Sequence, residues 1–205
     1  GKHTGHTYIR GNNDLSITDS VVVVPELLKP AGYSTGLIGK WGLGEAGTEG
    51  IATKQGFDFF FGFLNQIRAH NYYPDYVWKN DEKVYLGNEV KICDKEGYYA
   101  NGIGSVSTNK KQYVQDLFLE EALGFIDREK ENPFFLYYAI TPPHANNEGW
   151  MNDSHGMEVP GGLTPDYGEY TNKDWPDSAK GYAQMVSISD SDVGDILQKL
   201  KDLNL

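Results

Sequence analysis

The sequence predicts an α/β protein with a mostly parallel central sheet flanked by helices. Two short apolar runs, Thr35-Gly36-Leu37-Ile38 and Phe134-Phe135-Leu136-Tyr137-Tyr138-Ala139-Ile140, are bounded by turn residues and lack the polar alternation of a half-solvated strand. Residues 111–130 and 180–203 carry apolar side chains three and four positions apart, the period of helices that cover a sheet. With 205 residues, 39% of them hydrophobic, the chain is long enough for one such domain with a sizeable core.

Taken in order, Val21 to Val24 lead into Pro25 and Glu26. Proline is tolerated in a first helical turn and a carboxylate suits its positive end, so a short helix is expected over 23–29, with Lys29 at its solvated end and Pro30 and Gly32 stopping it. The strand that follows ends at Lys40, within "STGLIGKWGLG" at 34–44. In open α/β sheets the ligand crevice lies just outside the carboxyl ends of the strands, which would set Lys40 to grip an anion. The plainer reading is a lysine whose ammonium reaches back to water.

Residues 42–110 read as a loop-rich insertion, irregular except at Tyr76-Val77-Trp78-Lys79-Asn80-Asp81-Glu82-Lys83-Val84, a hairpin turning at Asn80-Asp81. Long loops beside a sheet commonly carry function, so substrate specificity is expected there. The helix over 111–130 should turn Val114, Leu117, Phe118, Ala122, Phe125 and Ile126 towards the sheet. Residues 134–140 give the strongest buried-strand signal in the chain. Pro142 and Pro143 stop that strand because proline cannot donate to a ladder, which leaves His144 just beyond a second strand end. After a loop over 145–177, the last helix, over 180–203, would bury Tyr182, Met185, Val186, Val193, Ile196, Leu197 and Leu200.

Composition narrows the function classes. A net charge of −11, from 18 basic and 29 acidic side chains, argues against nucleic acid as a partner, since phosphates need a basic field. Any anion must be held by a local cluster. The single cysteine, Cys93, permits no internal disulfide and no metal knuckle. No apolar run is long enough for a membrane span. Aromatic residues make up 13% of the chain, including 14 tyrosines and 4 tryptophans, enough to offer a sugar stacking faces as well as to pack a core. His3 and His6 could share one helical face, but two histidines without a carboxylate partner fall short of a metal site.

Two strand ends thus present a cation, Lys40, and a titratable imidazole, His144. If the strands are neighbours, the pair could bind an anionic group while His144 passes a proton to a leaving oxygen. The alternative for His144 is a capping or core histidine, the sequence showing no partner for its second nitrogen.

Several stretches, in order along nearly the whole chain, resemble the formylglycine-dependent sulfatases of the alkaline-phosphatase-like superfamily. "GKHTGHTYIRGN" is similar to the segment after the nucleophile motif, "PELLKPAGYSTGLIGKWGLG" to the second signature, and "FFLYYAITPPHA" to the strand that delivers the leaving-group histidine. "AHNYYPDYVWKN" resembles a stretch of many bacterial members, and "YAQMVSISDSDVGDILQKLKDLNL" the helix before the last metal-binding strand. The resemblance implies an alkaline-phosphatase-like sheet and hydrolysis of a small-molecule or carbohydrate sulfate ester. It assigns Lys40 to holding the sulfate, and His144 to contacting it and assisting departure of the alcohol. The second signature usually reads lysine, tryptophan, histidine, whereas this chain has Lys40, Trp41, Gly42. His70 is the candidate substitute for that histidine, and with its neighbour Asn71 a candidate substrate contact.

The resemblance also implies calcium (Ca2+), whose acidic ligands would lie before Gly1 and after Leu205, and a formylglycine nucleophile made from a cysteine or serine followed by proline and arginine, again before Gly1. Cys93 is followed by Asp94-Lys95-Glu96-Gly97 and does not fit that motif. Both ends read as cut, so 1–205 is expected to be the middle part of a catalytic domain, inactive alone, in a protein that is periplasmic or secreted. Rival readings are a phosphodiesterase or phosphonate hydrolase of the same superfamily, and a degenerate, non-catalytic glycan-binding domain.

Overall fold

Strand β1 (Ser34–Lys40) runs between two parallel neighbours, β2 (Phe59–Phe63) and β7 (Phe134–Ala139), in a computed structural model that describes residues 16–92, 104–148 and 163–205. The register sets Gly36 beside Phe59 and Leu136, and Lys40 beside Phe63. Beyond β2, the hairpin β3 (Tyr76–Lys79) and β4 (Glu82–Tyr85) adds two antiparallel strands, giving the order β4-β3-β2-β1-β7. Its turn falls at Asn80, as the Asn-Asp pair predicts, with Asn80 at φ 52°.

Successive residues of a strand point to opposite faces, and here both faces are covered. Leu37 and Phe60 pack with Ile51, Phe57 and Leu64 on one side; Ile38, Phe61, Phe63 and Val77 meet Phe118, Phe125 and Met185 on the other. Phe60 and Phe63 are fully buried, each contributing roughly 1.5–3 kcal/mol. Phe118 stands edge-on to both Phe61 and Phe63, with centroids 6.1 and 5.8 Å away.

Helix α1 (Val24–Leu28) begins where Glu26 accepts the Val23 N–H at 3.0 Å, and runs into a single 3₁₀ turn that ends at Gly32. Lys29 is not simply solvated, as the sequence suggested: its ammonium pairs with Asp58 at 2.6 Å. Burial pushes the Asp58 carboxyl up, but hydrogen bonds from Lys29 and Thr35 outweigh that and hold it below its ordinary value. Because Asp58 also accepts from the Thr35 amide and hydroxyl, this cluster fixes the entry of β1 against the entry of β2.

Three further expectations are corrected. The loop-rich reading of 42–110 fails at Phe59–Phe63, which is the inner neighbour of β1, and at β5 (Glu89–Ile92), which pairs with β6 (Ser105–Asn109) in a separate two-stranded ribbon. Helix α2 (Val114–Glu129) buries Val114, Phe118, Ala122, Phe125 and Ile126 as its period predicts, yet β7 is only half-buried, with Tyr137 48% exposed, because it is the outer strand among the described residues. Helix α3 (Asp177–Asp202) buries Met185 but leaves Tyr182, Val186, Val193 and Leu197 exposed, since it docks along α2 by one narrow edge. At that edge Gln115 and Tyr138 both donate to the Asp192 carboxylate, Tyr138 at 3.1 Å. Cys93, His3 and His6 lie outside the described residues.

Candidate active site

Parallel pairing of β1 with β7 brings their carboxyl ends to one side of the sheet, and the residues beyond those ends come with them. Lys40 closes β1 and is half-buried, so desolvation lowers its pKa from the ordinary lysine value. Beyond β7 the chain turns at Thr141 to His144. The His144 N–H donates to the Thr141 carbonyl at 3.2 Å, and the His144 carbonyl accepts from the Tyr72 hydroxyl at 2.9 Å. The backbone of His144 is therefore anchored on both sides while part of the residue stays open to solvent.

The second nitrogen that the sequence left unpartnered has a partner. A carbonyl can only accept, so His144 Nδ1–H donates to the Ala145 oxygen at 2.6 Å, which leaves Nε2 as the ring nitrogen without hydrogen in the neutral imidazole. Burial lowers the His144 pKa below its ordinary value, and the positive charge of Lys40, together with that of His70 when protonated, lowers it further. The Ala145 carbonyl and the Glu148 carboxylate act in the opposite sense. The charge of Lys40 thus acts on the His144 imidazole.

His70 arrives from a different segment. After β2, Asn65 Oδ1 accepts the amides of Ile67 and Arg68, and the 3₁₀ turn Arg68–His70 then carries its histidine inward. Arg68 is held by an ion pair with Asp75 and by the Tyr76 ring, 3.7 Å from its guanidinium carbon. The His70 imidazole, 3% exposed, stacks on that of His144 with centroids 4.6 Å apart and planes 8° apart. Its Nδ1–H donates to Glu148, with both carboxylate oxygens at 3.0–3.1 Å.

His70 and His144 therefore form a stacked pair under the influence of the Lys40 charge, while the Asn71 side chain is committed to other partners. The Asn71 side chain donates to Ser105 Oγ at 2.9 Å and accepts from Ser107 and from the Tyr73 amide, which commits both ends of the amide to tying the 70–73 segment to β6. Glu148 carried no signal in the sequence. It sits in a stretch of Asn, Gly and Glu with no period, and only the fold reveals a wholly buried carboxylate against a histidine. Among the described residues no three histidine, cysteine or acidic side chains converge as a metal site. No helix among them is long and apolar enough to cross a membrane.

Comparison with known proteins adds a second line of observation. A family model described as "Sulfatase" matches residues 4–205. Arylsulfatase J of Mus musculus is 30% identical over 202 residues, which cover 97% of this chain and 29% of that protein. N-acetylgalactosamine-6-sulfatase of Homo sapiens is 35% identical over 130 residues, covering 63% of this chain and 23% of that protein. This chain accordingly spans less than a third of the length of these relatives. The crystal structure of Ps i-CgsB in complex with k-i-k-neocarrahexaose superposes with a TM-score of 0.59 at 25% identity, over 96% of this chain and 40% of that one.

Proposed function

The chain belongs to the sulfatase family, and from that premise we propose that it forms the middle of the catalytic domain of an exported protein that hydrolyses the sulfate esters of a sulfated carbohydrate. The observation that carries this reading is the grouping of Lys40, His144 and His70 at one end of the sheet. The crystallised relative holding a neocarrahexaose supports the carbohydrate part of the proposal.

In this reading Lys40 supplies fixed positive charge to the sulfate oxygens. A half-desolvated ammonium binds an anion more strongly than one in water, and the charge is already in place when negative charge builds up in the transition state. His144 Nε2 faces the leaving alcohol. With Nδ1–H held on Ala145, only Nε2 can carry the proton that the departing oxygen takes. Free of substrate, His144 is biased towards its neutral form by burial and by Lys40. A sulfate ester on Lys40 offsets that positive charge, so binding itself favours the protonated imidazole needed for leaving-group departure. His70 stands in for the histidine that Gly42 does not supply. When bound, the calcium and formylglycine that the family implies supply charge neutralisation and the nucleophile.

The test is turnover of a chromogenic aryl sulfate and of a sulfated oligosaccharide by the full-length protein, with the 205-residue chain alone beside it. Turnover by the full-length protein, falling by about 10²-fold or more in Lys40→Ala and in His144→Ala, is the expected result. Hydrolysis of phosphate diesters but not sulfate esters, or full turnover by the 205-residue chain, would overturn it.

A further inference from the structure

The innermost member of the group is Glu148, wholly buried, whose carboxylate no element of the proposed chemistry uses. Carboxylates are almost never fully buried unless paired, and this one faces the His70 imidazole with both oxygens. Its placement is built rather than incidental. Asn146 Oδ1 accepts the Glu148 amide at 3.1 Å while Asn146 Nδ2 donates to the Ser105 carbonyl at 2.9 Å. Ser105 Oγ in turn accepts from Asn71, next to His70. One strand residue therefore fixes both the segment bearing the carboxylate and the segment bearing the imidazole. Gly104 completes the fit, because a Cβ there would lie 2.5 Å from Glu148 Cγ.

We infer that Glu148 is a positioning residue that holds the His70 ring in one tautomer, with Nδ1–H on the carboxylate and Nε2 as the nitrogen that exchanges a proton beside His144. The inference rests on His70 acting in sulfate-ester hydrolysis as proposed above. Its logic is that of an acidic residue orienting a catalytic histidine: an acceptor-only partner removes the choice of which nitrogen carries hydrogen. The two stacked imidazoles then differ in kind. His144 is held by a neutral carbonyl and His70 by a carboxylate.

The experiment replaces Glu148 by Gln, which fills the same space without charge, in the full-length protein. Expected are a fall of about tenfold or more in kcat/KM on an aryl sulfate and a move of one limb of the pH profile to lower pH by about one unit, since losing a nearby negative charge disfavours a protonated partner whether that partner acts as acid or base. Glu148→Asp, which keeps the charge, should return the limb towards its original position. Independently of turnover, ¹⁵N shifts of the His70 ring should report the Nδ1–H tautomer in the parent and a mixture in Glu148→Gln, because an amide can donate as well as accept. If Glu148→Gln does not fold, Glu148→Asp read by the same shifts decides. An unmoved pH profile in an active Glu148→Gln protein, or an Nε2–H tautomer in the parent, overturns the inference. A parent that cleaves no sulfate ester overturns the functional proposal instead, and leaves the ring shifts to decide the role of Glu148.

Discussion

The imidazole of His144 lies flat against that of His70, 4.6 Å between centroids, although one follows β7 and the other ends a turn after β2. Burial first, and then nearby positive charge that includes the Lys40 ammonium, hold the His144 pKa below its ordinary value.

Removing Lys40 should therefore raise the His144 pKa, because that ammonium is one of the charges that lower it. A histidine-resolved NMR titration of Lys40→Ala against the parent checks the sign, and a downward or absent shift would show that the two groups do not share a crevice. Lys29→Ala is the control: its pair with Asp58 is nearly half exposed at both ends, so it should cost no more than about 1 kcal/mol of stability and leave turnover intact.

Inorganic sulfate should stabilise the full-length protein against heat in proportion to RT ln(1 + [L]/Kd), about 2.7 kcal/mol at a hundredfold excess over Kd. In Lys40→Ala that gain should shrink or vanish, as read from melting curves at rising sulfate. Equal stabilisation of parent and variant would place the anion elsewhere.

Restoring the family's usual histidine at position 42 should damage the protein. Gly42 adopts φ +73°, where side chains are strained, and a Cβ there would lie 2.5 Å from Gln66 Cγ. Gly42→His should lose about 1–3 kcal/mol and gain no turnover. A stable variant with higher kcat would show that His70 does not occupy that functional place.

The Asp192 carboxyl is pushed above its ordinary value, first by burial and then by Asp116 and Asp195, against hydrogen bonds from Gln115 and Tyr138. The folded state therefore holds this proton more tightly than the unfolded chain does. Below the unfolded value of about 4 both states are protonated and nothing is gained or lost; as pH rises through the folded value, stability falls and then levels. Asp192→Asn keeps an oxygen for both donors and removes the ionisation. Denaturation midpoints from pH 4 to 8 should show the variant gaining on the parent with rising pH, and a constant difference would refute the assignment.

Read alone, the sequence determined what depends on local pattern. Short apolar runs fixed β1 and β7, helical period fixed α2 and α3, the Asn80-Asp81 pair fixed the hairpin, and glycine and proline fixed where strands stop, so Lys40 and His144 were legible as strand-end residues. The resemblance to the sulfatases supplied the chemistry proposed for them. Tertiary structure decided what no local period encodes. Phe59–Phe63 reads as an undifferentiated aromatic run, and it is a strand because it pairs with β1. The apolar stripe of α3 is a true helical face, yet how much of it is buried depends on where the helix docks. The meeting of His70, His144 and Glu148 required three loops to close on one point through Asn65, Asn71, Tyr72 and Asn146. Hydrophobic periodicity reports which face of an element leaves water; the side chains that meet beyond the elements are set by long-range hydrogen bonds, which leave no trace in the spacing of residues along the chain.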